Sequence, residues 1–175
     1  MTATRRNGRE WALQMLCSLD LNPEDLSNDV LAEHWRLLEE EERIALEERA
    51  VGSHKILLDT SASVRARLEE MRAFAEERVK GVWSSRKQLD ETLEKYLENW
   101  SMYRLGTIER NVLRLGAWEI LNCPAIPAPI IVNEAVDLAK FFSVRASGRF
   151  VNGVLDKLAK AHAKELGEGT FVPGE

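Results

Sequence analysis

Apolar residues recur at intervals of three and four through nearly the whole chain, and sustained apolar–polar alternation is missing. Ala12, Met15, Leu16 and Leu19 set the pattern: one stripe of an amphipathic helix, where a half-buried strand would repeat every second residue. That stripe stops near Asn22-Pro23. Val30, Leu31, Trp35 and Leu38 predict a second helix, and Val64, Leu68, Met71 and Ala75 a third, with a break within 50–61 and an end at Gly81. Ser85 and Gln88 have the spacing of a capping box, which predicts a helix over 85–99 carrying Leu89, Leu93, Tyr96, Leu97 and Trp100. Ile108, Val112, Leu115 and Leu121 follow, ending before the extended connector C-P-A-I-P-A-P. Pro129 suits the first turn of the next helix, with Val132, Ala135, Val136, Ala139 and Phe142 on its stripe. A last helix starts near Ser147 with Phe150, Val151, Val154, Leu155 and Leu158. Gly153 inside it costs about 1 kcal/mol relative to alanine, which suggests a close helix crossing.

The expectation is an all-α fold. Residues 1–166 are expected to form one domain, followed by a flexible tail, 167–175. The chain is 45% hydrophobic and 30% charged, the profile of an ordered, soluble protein. It has no apolar run near the roughly 18 residues of a membrane span, and residues 1–20 hold no apolar segment of signal-peptide length, so a cytoplasmic location is expected. Cys17 and Cys123 lie far apart with no metal-ligand spacing around them. His34, His54 and His162 are isolated, and neither a nucleophile motif nor a phosphate-binding loop is present. No cofactor, metal or catalytic function is expected.

Charge is distributed unevenly. The net value is −5, yet residues 39–50 sum to −4 and residues 140–164 to +5. The chain also opens on T-A-T-R-R-N-G-R. On a helix Arg5 and Arg9 share a face and project toward the Ala12–Leu16 stripe, where unpartnered burial would cost several kcal/mol each. The expected core therefore ends near Trp11, and residues 1–9 form a basic arm. Either this arm is a solvated terminus, or its guanidinium groups meet an anion such as RNA. The five tryptophans, at helical spacing, read as core. Phe150 reads equally as core or as a stacking surface, and Asn152-Gly153 as a packing device.

Three segments carry a family resemblance. "RRNGREWALQML" at 5–16, "LDETLEKYLENWSMYRLGTIERNVLRLGAWEIL" at 89–121 and "IVNEAVDLAKFFSVRASGRFVNGVLDKLAK" at 131–160 resemble, in order, three signatures of the NusB family of transcription antitermination factors. They span nearly half the chain; residues 22–84 match no motif. The resemblance implies two helical bundles, at about 1–83 and 84–166, packed side by side with an N-terminal basic arm. It further implies binding of boxA-type single-stranded RNA of nascent ribosomal transcripts together with ribosomal protein NusE, in an antitermination complex on RNA polymerase. By position it implies RNA contact by Arg5, Arg6, Arg9, Arg145, Arg149 and Phe150, and NusE contact by Glu109.

The start of the last helix offers backbone N–H groups and a positive dipole end to a phosphate, beside Arg145 and Arg149. This corner and the arm are expected to join into one cationic footprint. Departures from the family pattern are Asn7 for a basic residue, Gly8 for alanine, Cys17 for tyrosine and Ala146 for an acid. An alternative is a module related to the N-terminal domain of ribosomal RNA cytosine methyltransferases, against which a chain ending at Glu175 leaves no room for a cofactor domain. Monomer and homodimer both remain open.

Overall fold

A computed structural model describes residues 3–22, 28–52 and 60–168. These form helices α1 (Ala3–Leu21), α2 (Asn28–Gly52), α3 (Thr60–Glu94), α4 (Thr107–Asn122), α5 (Ala128–Phe142) and α6 (Ser147–Glu168), with a 3-10 turn at Met102–Arg104. No strand occurs among the described residues. The chain forms two compact units, residues 1–79 and 80–175, so α3 contributes to both.

In the first unit α1 buries Trp11, Ala12, Leu13, Met15, Leu16 and Leu19, α2 buries Trp35 and Leu38, and α3 buries Met71, Ala75 and Val79. Trp11 and Trp35 meet with ring centroids 6.4 Å apart. The acidic stretch lies on α2, where it answers nearby bases: Arg72 bonds both Glu76 and Glu39, and Arg43 forks onto Glu40.

In the second unit α4, α5 and α6 pack on one another, with Val112, Leu113, Leu115, Ile131, Leu138, Val151 and Leu155 buried. A Cβ on Gly116 would stand 2.6 Å from Leu155 Cδ1 and 3.5 Å from Ala135 Cβ, so this glycine permits the close three-helix approach. Pro129 sits in the first turn of α5, as its fixed φ favours. Among the described residues, no helix is long and apolar enough to cross a membrane.

Three expectations are corrected. First, α3 continues through Gly81 and Ser85 and stops at Glu94. Ser85 Oγ donates to the Gly81 carbonyl one turn back at 2.6 Å, so it bonds back within the helix instead of capping a new one. Second, Trp100 is 55% exposed: with α3 ended, Asn99 turns the chain at φ 60°, a left-handed conformation that asparagine tolerates, and Trp100 leaves the helical stripe. Third, nothing lies within 4 Å of a Cβ on Gly153, so the close crossing belongs to Gly116. His54, part of the expected 50–61 break and residues 169–175 of the tail lie outside the described residues.

Candidate nucleic-acid interface

The arginine-rich opening is helical from Ala3 onward. Arg5 and Arg6 are exposed, Arg6 lying 3.7 Å from Glu10. Arg9, expected in a solvated arm, is only 1% exposed. An aromatic ring lies beside it: the guanidinium carbon is 5.3 Å from the Phe74 ring centroid, and Nη1 donates to the Arg5 carbonyl at 3.3 Å. Arg78 approaches the same ring at 3.2 Å. Cation–π attraction of this kind offsets desolvation, so the core extends a full turn beyond Trp11. Gly8 belongs to the same arrangement, since a Cβ there would stand 2.6 Å from Phe74 Cδ1. Asn7 faces inward as well, donating to Glu42 at 2.9 Å. The surface that α1 offers an anion is therefore Arg5 and Arg6.

The second unit brings Glu109, Arg145, Arg149 and Phe150 to the α5–α6 turn. Arg145 and Arg149 are exposed and Phe150 is half-buried. The Glu109 carboxylate, in the first turn of α4, accepts from Ser143 Oγ at 2.5 Å and Ser147 Oγ at 2.6 Å, tying both sides of the turn to α4. Burial pushes this carboxyl up, but the two hydroxyls and its own backbone N–H outweigh it and hold the group below its ordinary value. The α6 N-terminus is less open to phosphate than expected: Ser147 N–H donates to Val144 and Arg149 N–H to Ala146. The exposed cations at this turn are the Arg145 and Arg149 side chains.

Beside this turn lies a cleft of about 500 Å³ lined by Trp100, Arg104, Leu105, Gly106, Glu109, Ala146, Ser147 and Phe150. Sequence reasoning missed Trp100 and Arg104. The available signal was the run E-N-W-S, whose asparagine and serine favour a turn over one more turn of helix.

Other residues of the signatures hold the fold. Arg114, 6% exposed, forks onto Asp90 with two contacts of 2.7 Å and donates to Asn111 Oδ1 at 3.2 Å. Asn111 in turn donates to the Thr107 carbonyl at 2.9 Å. Lys157 pairs with Glu98. No group of three or more His, Cys, Asp or Glu side chains among the described residues could hold a metal.

The sequence model of the NusB family matches residues 6–160. The transcription antitermination protein NusB of Sorangium cellulosum is 37% identical over 156 residues, 89% of this chain and 91% of its own. That of Myxococcus xanthus is 36% identical over 157 residues, 90% of this chain and 95% of its own. Among solved structures, NusB of Thermotoga maritima matches with a TM-score of 0.63 at 29% identity, over 91% of this chain and 93% of its own. A chain from a crystal structure of antitermination factors NusB and NusE in complex with double-stranded RNA matches with a TM-score of 0.64 at 27% identity, over 92% of this chain and 99% of its own.

Proposed function

The chain belongs to the NusB family, and on that premise we propose that it is a non-catalytic transcription antitermination factor that binds boxA-type RNA of nascent ribosomal transcripts jointly with NusE. The observation that carries the RNA reading is the α5–α6 turn, where two exposed arginines flank a half-buried phenylalanine. Single-stranded RNA needs this combination: cations for the backbone and an aromatic face for an unstacked base. Arg5 and Arg6 supply a further cationic contact from α1, and Arg9 acts by packing. Glu109 supports NusE capture, in part by fixing the turn through Ser143 and Ser147. The relatives are matched almost from end to end, so the likeness is to whole antitermination proteins and favours that role over a module of a longer enzyme.

Filter binding of boxA-type RNA, with and without NusE and across salt concentrations, tests this. Each arginine that neutralises a phosphate contributes about −0.7 to the log–log salt slope on a single strand. Replacing Arg5 with Arg6, or Arg145 with Arg149, by alanine should weaken binding and flatten the slope. Unchanged slopes in both double variants would remove these arginines from the function. Glu109→Lys should weaken NusE capture, and an unaltered complex would dismiss that role.

A further inference from the structure

We propose that the cleft lined by Trp100, Arg104, Glu109 and Phe150 is a subsite for a single RNA base carrying an exocyclic amino group, a proposal that rests on the RNA-binding reading above. Two aromatic rings line it, the half-buried Phe150 and the 55% exposed Trp100. Isolated exposed apolar side chains are ordinary on protein surfaces, but Trp100 stands on a chain segment held in place from several sides. Glu94 accepts from the Met102 N–H at 2.6 Å, Arg110 donates to the Leu105 carbonyl at 3.1 Å, and Glu98 pairs with Lys157. The indole is thus presented by a braced turn, so little ordering is left to be done when a ring stacks on it.

The charges decide which part of a nucleotide enters. A phosphate would meet the Glu109 carboxylate inside the cleft, whereas Arg145 and Arg149 offer cations at the exposed turn. The backbone therefore stays with the arginines and the base turns inward onto the rings, with the Arg104 guanidinium adding a further flat cation for stacking. At the base edge, Glu109 Oε2, the carboxylate oxygen to which neither Ser143 nor Ser147 donates, accepts from an amino group, as acidic side chains do from cytosine N4. Uracil presents a carbonyl oxygen at that position and would be repelled. The cleft should favour cytosine over uracil at this site.

Fluorescence anisotropy with labelled oligocytidylate and oligouridylate of equal length tests the proposal on the full chain, with boxA-type RNA as reference. Wild type should bind oligocytidylate more tightly. Trp100→Ala should weaken it about tenfold, within the range for losing one base-stacking platform, without altering the salt slope, because the indole carries no charge. Trp100→Phe should retain most of the affinity, and equal thermal unfolding of both variants should confirm that an exposed side chain was altered. If Trp100→Ala binds like wild type while the Arg145/Arg149 alanine variant is weakened, this subsite is wrong and the RNA reading stands. If wild type binds none of the three RNAs, both fall. Equal binding of the two homopolymers would overturn the amino-group assignment. Loss of NusE capture with RNA binding intact in Trp100→Ala would make the occupant a protein and overturn the subsite.

Discussion

Ser147 donates its hydroxyl hydrogen to Glu109 Oε1 at 2.6 Å, and Ser143 shares the same acceptor. One carboxylate therefore fastens the C-cap residue of α5 and the first residue of α6 to α4. Because these bonds hold the Glu109 carboxyl below its ordinary value against the effect of burial, the unfolded chain binds the proton more readily than the folded one. The linked stability is present above the unfolded carboxylate's range and is lost as pH falls through the folded value. A Ser143→Ala/Ser147→Ala variant leaves the burial and removes the hydroxyls. Its Glu109 should titrate higher by carbon-13 NMR, and the protein should lose about 1–2 kcal/mol near neutral pH, measured by denaturant unfolding.

Two glycines in helices of the second unit should respond to alanine in opposite directions. A Cβ on Gly81 would stand 2.2 Å from Trp118 Cε2 and 2.4 Å from Nε1. Gly81→Ala should destabilise by about 1–3 kcal/mol through overpacking, more than the gain in helix propensity restores. Gly153 faces open space, so Gly153→Ala should stabilise by about 1 kcal/mol. Thermal unfolding of the two variants checks both signs.

These glycines show what the sequence conveys and what it withholds. The apolar stripes of α1, α4, α5 and α6 mark real helices because burial of one face is a local, periodic property. Gly81 reads in sequence as a helix end and Gly153 as a close crossing, whereas a ring that Trp118 brings from far along the chain lies beside Gly81 and nothing lies beside Gly153. Ser85 misled for a related reason: its hydroxyl can cap a new helix or bond back to Gly81, and only the continuity of α3 decides. Arg9 misled because the ring it packs on, Phe74, lies 65 positions away in a region without a motif. For the interface, Arg145, Arg149 and Phe150 were legible as a cluster through closeness in sequence. Trp100 and Arg104 join them by tertiary folding alone.

The arginines of α1 should separate by function. Arg9→Ala removes a buried stem and a desolvated cation on Phe74, and should cost about 2 kcal/mol of stability. Arg5→Ala and Arg6→Ala touch exposed side chains and should leave stability within about 0.5 kcal/mol, while reducing RNA affinity and flattening its salt dependence. Chemical denaturation paired with RNA titration for each variant distinguishes the two classes. A stable Arg9→Ala protein with impaired RNA binding would place Arg9 back among the contact residues.

Arg114 and Asp90 tie α4 to the C-terminal part of α3 with two 2.7 Å contacts in parallel. Arg114 is almost wholly buried, while Asp90 keeps 28% of its side chain exposed. The two partners are therefore unequal as mutation sites. Asp90→Ala strands a buried guanidinium and should cost about 3 kcal/mol. Arg114→Met leaves a carboxylate that water can still reach and fills the vacated space with an apolar chain, so its cost should be smaller. The double variant should be no worse than Asp90→Ala alone, and a double-mutant cycle in urea measures the coupling. Additive losses would mean that the charge pair contributes nothing beyond packing.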